Sequence, residues 1–216
     1  MSTPVQKDSQ ITALLIAPNR DLAQQFVATL PQTRAFQILA DLKSYPPAPT
    51  LEIRIRAERP TIPLFLLGNS MGGLVVLDYA LHHPEGVRGV IAVSTPLGDL
   101  GVPRPLMALG RVLSRRWPRF SLNTGMDLSG LARNPEVTER VLRDPLFHRK
   151  GTARLSTEVT AAIDRVRDGA AGFPVPMLVL HGGADRMVPP GGSRRFVDAS
   201  GQPDRRLIEY PEAYHA

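Results

Sequence analysis

Six short apolar runs, each bounded by turn residues and separated by helix-length stretches, set the tightest limit on how this chain can fold. They are Ile11 to Ala17, Phe36 to Leu42, Ile62 to Leu67, Gly89 to Ser94, Val175 to Leu180 and Arg206 to Tyr210. Several are continuously apolar rather than alternating, as strands covered on both faces must be. That pattern predicts a mainly parallel α/β sheet with crossover helices. Residues 21–30, with Asp21 near the N-terminal end, and Met71 to His82 carry the helical spacing for two of those crossovers. With 216 residues the chain can build a single core.

Residues 100–170 break the alternation. The stretch offers helical segments at 102–117, 134–144 and 156–169 and no good strand; Asn134-Pro135 is a cap-like pair and Ser156 a cap candidate. It reads as a helical insertion between two sheet strands, with residues 1–99 and 171–216 forming the core. Ligands in open α/β sheets bind at the carboxyl edge of the strands, so the expected role of the insertion is to cover a site there.

The formal charge of +6 raises the question of nucleic acid. Residues 100–170 hold 13 Lys/Arg against 7 Asp/Glu, whereas the rest of the chain holds 13 against 13. The whole excess therefore sits in the insertion. Trp117 and Phe120 are the only aromatics near Arg115, Arg116 and Arg119, and no nucleic-acid motif accompanies them, so nucleic acid is not expected as a partner. A solvated arginine-rich face is the plain reading, and attraction to anionic lipid surfaces is the functional one. The longest apolar runs fall far short of the roughly 18 residues a membrane span needs. The first ten residues lack the apolar stretch of a secretion signal. A soluble, cytoplasmic protein with peripheral membrane contact is expected. Cysteine is absent, so covalent chemistry must use oxygen or nitrogen.

Gly68-Asn69-Ser70-Met71-Gly72 is a G-x-S-x-G placed directly after one strand and directly before a helix. A serine on so sharp a turn is held in a strained backbone with its hydroxyl aimed outward, and flanking glycines let strand and helix approach. The helix N-terminus supplies N–H groups where an oxyanion would form, with the Met71 N–H as the specific candidate. Ser70 is thus the candidate nucleophile. A serine needs a base, and the base an orienting carboxylate. His82 and His83 end the elbow helix, where solvation is expected; spacing does not decide His148; His181 ends a strand and is expected to pack. His215 follows the last strand across a short loop, the correct position for the order serine, acid, histidine. Asp185 lies in the loop after the fifth strand, on the same edge, while Asp198 and Asp204 suit surface capping. Histidines lack zinc-ligand clustering and no phosphate loop exists, so no cofactor or metal is expected.

These residues resemble the α/β-hydrolase superfamily and, within it, the bacterial monoacylglycerol lipase and lysophospholipase group. The likeness runs through RAERPTIPLFLLGNSMGGLVVLDYALHHPEGVRGVIAVSTP, SLNTGMDLSGLARNPEVTERVLRDPLFH, VPMLVLHGGADRMVPPGGSRRF and YPEAYH, covering 57 to 215 nearly continuously. It implies Ser70 as nucleophile, His215 as base, Asp185 as acid and residues 100–170 as a lid. The implied reaction is hydrolysis of a glycerol ester or lysophospholipid through an acyl-enzyme. A catalytically impaired binding module and an acyltransferase stand as alternatives. The family carries His-Gly in the loop that gives the second oxyanion donor, where this chain reads Ile16-Ala17-Pro18-Asn19-Arg20. Proline has no N–H, which leaves Asn19 as the candidate donor. Asn69 replaces a common histidine in the elbow. The usual leading hairpin and closing helix are expected to be absent, with fraying of His215 as the consequence.

Overall fold

The computed structural model describes residues 11–16, 36–42, 64–99, 102–125, 127–145, 147 and 149–215. The expected helix at 21–30, Pro18, Asn19 and His148 lie outside them. The chain divides into two compact units, Met1–Phe65 and Leu66–Ala216. In the first, β1 (Ile11–Ile16) pairs in parallel with β2 (Phe36–Leu42), from Ile11 opposite Phe36 to Ile16 opposite Leu42, with a register shift between Ala13 and Leu14.

The second unit holds all but the first two residues of a four-stranded sheet in the order β3 (Leu64–Asn69), β4 (Val87–Val93), β7 (Met177–Gly182), β8 (Arg205–Tyr210). β4, β7 and β8 are parallel, so their carboxyl ends share one edge. Strand ends differ from the sequence reading by up to two residues. β7 starts after Pro176, which has no N–H for a ladder, although its carbonyl accepts from Val90 N–H. The ladder then continues through His181 and Gly182, opposite Glu209 and Tyr210, past the Leu180 end of the apolar run.

Helix α1 (Met71–His82) buries Gly73, Leu74, Leu77 and Ala80, a helical three-to-four spacing that lays one face on the core. Leu77 has no exposed surface, so its burial stabilises the unit by about 1.5–3 kcal/mol. Pro84 stops the helix, whose C-cap N–H, that of His83, donates to the Tyr79 carbonyl. After β7, helix α5 (Gly191–Ala199) packs Phe196 edge-on against Phe173, with 5.7 Å between ring centroids.

Between β4 and β7 run α2 (Arg104–Arg116), α3 (Pro135–Arg143) and α4 (Ala153–Asp168). The Asn134 side chain caps α3 by accepting from Glu136 N–H. Ser156 does not cap α4. Thr152 does, accepting from Leu155 N–H at 3.0 Å, because Thr152 keeps extended geometry at the end of a strand. That strand is a second correction: β5 (Ser121–Asn123) and β6 (Lys150–Thr152) pair antiparallel where no strand is expected. Three residues are too few for alternation to show, and the pairing joins segments 25 or more residues apart. No helix among the described residues is long and apolar enough to cross a membrane.

Candidate active site

Ser70 occupies the joint between β3 and α1 with φ 53° and ψ −121°, a region that side chains with a Cβ rarely enter. Its N–H donates to the Val93 carbonyl at 2.7 Å, which clamps the joint to the neighbouring strand. Gly68 is required there because a Cβ would collide with the Gly72 carbonyl, and Gly73 because a Cβ would strike the Thr95 hydroxyl. Gly73 is not marked by the G-x-S-x-G pattern, although the Gly72-Gly73 doublet is a visible sign of it. As the N-cap of α1, Ser70 would ordinarily turn its hydroxyl onto the helix N–H groups, yet its side chain makes no capping bond.

The hydroxyl turns instead to His215. His215 Nε2 lies 2.9 Å from Ser70 Oγ, and its Nδ1 lies 2.8 Å from Asp185 Oδ2. A carboxylate only accepts, so Nδ1 carries the proton and the Nε2 lone pair faces the serine O–H. The other carboxylate oxygen, Oδ1, accepts from the N–H groups of Met187 at 2.9 Å and Val188 at 2.8 Å. Asp185 is 4% and His215 6% exposed, so the acid and the base are shielded from water, while Ser70 is half-buried. Three residues spread over 145 positions meet because each follows the carboxyl end of a strand: β3, β7 and β8.

The frayed histidine expected from the sequence is not found. His215 N–H donates to the Gly130 carbonyl, in a short 3-10 turn at Leu128–Gly130. Asp127 caps that turn through the Ser129 N–H and hydroxyl, which hold its carboxyl below its ordinary value of 3.8. Arg186 donates to the Ser129 carbonyl and stacks over the Tyr214 ring, and Arg133 pairs with Glu212 at 3.0 Å. The acid loop and the histidine loop are therefore both tied to the segment between β4 and β7.

Met71 opens α1, and the first N–H groups of a helix have no partner within it. No acidic side chain stands in the first turn to offset their positive potential. The candidate second donor, Asn19, lies outside the described residues. Of the other histidines, His82 and His83 are exposed. His181 is buried and bonded through both nitrogens. Asp198 and Asp204 are exposed. No group of three His, Cys, Asp or Glu among the described residues could hold a metal ion.

The model of the family described as serine aminopeptidase, S33, matches residues 36–216. The chain belongs to this family. This S33-family chain is similar to the monoacylglycerol lipase of Mycolicibacterium smegmatis, 33% identical over 73% of its own length and 57% of the relative's. A human monoglyceride lipase is 31% identical over 74% of this chain and 54% of the relative. The chain thus spans about half the length of these curated relatives. The crystal structure of the Paleococcus ferrophilus monoacylglycerol lipase superimposes with a TM-score of 0.79 at 28% identity, covering 96% of this chain and 84% of that one. The fold is the α/β-hydrolase fold, and the chain falls in its monoacylglycerol-lipase-like group.

Proposed function

We propose that this S33-family chain is a serine hydrolase of carboxylic esters of lipids, of the monoacylglycerol or lysophospholipid type, working through an acyl-enzyme. The observation that carries this reading is the hydrogen-bonded line from Ser70 Oγ through the His215 ring to Asp185. Ser70 attacks the ester carbonyl while His215 Nε2 takes its proton, and Asp185 stabilises the imidazolium that forms. The Met71 N–H is the donor to the developing oxyanion in this reading, and Asn19, which lies outside the described residues, is proposed from the sequence alone as the second donor. His215 returns the proton to the leaving alcohol. Water, activated by the same ring, then cleaves the acyl-enzyme and restores Ser70.

In this reading residues 100–170 form the cap over the site, with residues 1–99 and 171–216 as the catalytic core. The cap is also the surface that meets anionic membranes. α2 exposes Leu106, Leu109 and Val112 along one side, followed by Trp117, Phe120 and Leu122, and carries exposed Arg111, Arg115 and Arg116. Apolar side chains set among arginines suit the boundary between head groups and acyl chains, and salt must weaken such binding. The names of the relatives support a monoacylglycerol as substrate, whereas the family description supports an aminopeptidase.

The test is to compare turnover of a monoacylglycerol, a lysophospholipid and an amino-acid anilide by the native chain and by Ser70→Ala, with labelling by a fluorophosphonate. Ester turnover and stoichiometric labelling, both lost in Ser70→Ala with a fall in kcat of order 10⁶, are expected. Ester turnover that survives the substitution would sink the proposal, and a preference for the anilide would redirect it to peptides. An absence of labelling would favour the impaired binding module.

A further inference from the structure

His181 plays no part in the proton transfers just described, yet it is buried among polar groups that all have partners. Its Nε2 lies 2.8 Å from the Val188 carbonyl and its Nδ1 2.8 Å from the Ser193 hydroxyl. A carbonyl can only accept, so Nε2 must carry the proton, and Nδ1 then accepts from the Ser193 O–H. Ser193 has no exposed surface. Val188 is the residue whose own N–H donates to Asp185 Oδ1 at 2.8 Å. The same His181 N–H edge faces Asp185 Oδ2 at 3.5 Å.

From this geometry we infer that His181 is a positioning residue for Asp185, acting through the backbone of Val188. The inference rests on the assignment of Asp185 and His215 as acid and base. Every bond in the array runs in one sense. Ser193 O–H donates to His181, His181 Nε2–H to the Val188 carbonyl, and Val188 N–H to Asp185. From the other side, Ser70 O–H donates to His215 and His215 Nδ1–H to the same Asp185. The carboxylate is thus gripped from both ends. Two N–H groups fix Oδ1, and one of them belongs to Val188, a loop residue whose backbone His181 holds on the carbonyl side. The N–H and the carbonyl of one residue lie in adjoining peptide planes hinged at its Cα, so holding the Val188 carbonyl limits how far the N–H can swing from Oδ1, and with it the direction in which Oδ2 meets the imidazole. An ordinary core histidine would need only satisfied nitrogens; this one immobilises a residue whose N–H touches the acid.

The two amide substitutions separate these roles. Glutamine at 181 reaches the place of Nε2 and can donate to the Val188 carbonyl, whereas asparagine reaches only the place of Nδ1 and serves Ser193. The steady-state kinetics of His181→Gln and His181→Asn, both checked for native near-UV dichroism, are measured on the ester that the native chain turns over. His181→Asn is expected to lose about 10²-fold in kcat with KM unchanged, the scale of a small misplacement of a catalytic group. His181→Gln is expected to keep most of the native kcat. Equal losses in both, or a native kcat in His181→Asn, would overturn the inference. A second measurement needs no substitution: ring ¹⁵N shifts of His181 in the native chain must report the Nε2–H tautomer, and the Nδ1–H tautomer would overturn it even if neither variant folds. Turnover that survives Ser70→Ala would instead sink the catalytic reading and leave the tautomer result standing.

Discussion

Helices α2 and α4 lie in the same stretch between β4 and β7 and pack on each other, but they relate to the rest of the unit in opposite ways. α4 buries Ile163 and Val166 completely or nearly so, and its Arg165 grips both oxygens of Asp78 on α1 at 3.1 and 2.8 Å. α2 packs on α4, with a part-buried hydrogen bond between Ser114 and Thr157 at 2.8 Å, and leaves Leu106, Leu109 and Val112 more than half exposed. An amphipathic pattern thus serves two ends. On α4 it seats the segment on the core, and on α2 it presents an apolar strip outward. The Leu128–Arg133 turn belongs with α4, because it is bonded to the loops that carry Asp185 and His215.

The largest expected effect tests that contrast directly. Val166→Asp buries an unpaired carboxylate and should cost about 3–5 kcal/mol, enough to unfold a marginal domain, while Leu109→Gln should change stability by no more than about 0.5 kcal/mol. Urea unfolding of both decides it, and comparable losses would break the comparison. Leu109→Gln should still weaken binding to anionic vesicles. A middle-sized effect comes from two glycines. A Cβ on Gly130 would press on Met187 Cγ at 3.2 Å and Arg186 Cβ at 3.3 Å, beside the carbonyl that holds His215, whereas Gly110 on α2 has nothing within 4 Å. Gly130→Ala should lower ester turnover by about 10-fold through misplacement of the base. Gly110→Ala should leave turnover alone and add about 0.5–1 kcal/mol of helix stability.

The smallest effect is one of charge. Glu209 bonds to Arg194 at 2.7 and 2.6 Å, and this pairing holds its carboxyl below the ordinary value of 4.5. A lowered carboxylate contributes stability that is present above 4.5 and fades as pH falls through the depressed value. Glu209→Gln should therefore flatten the acid side of the unfolding profile. The charged residues of α2 are all arginines, which keep their charge throughout the acid range, so vesicle binding should not follow the same curve.

The parallel sheet is legible in the sequence because several of its strands are short apolar runs bounded by turn residues, and the three residues of the catalytic reading are legible because each follows the carboxyl end of a strand within a few residues. Other features leave no such trace. β5 and β6 are short and polar, and Ser121-Leu122-Asn123 looks like a loop until Lys150-Gly151-Thr152 is laid beside it. Thr152 becomes a cap only because that pairing sets its backbone. The partnership of His181 with Ser193 and Val188 depends on how the loop after β7 folds back, and nothing at positions 181, 188 or 193 announces it. The hold of Gly130 on His215 joins residues that only the packed loops bring together.

The backbone at Ser70 carries a consequence for how this chain tolerates change. A side chain held at φ 53° costs about 1–3 kcal/mol, and glycine alone would relieve it. A Ser70→Gly protein should be sturdier than its parent and, on the proposed mechanism, inert. Selection for heat resistance alone would drift toward that silent form, so a library screened on this scaffold must score chemistry in every round.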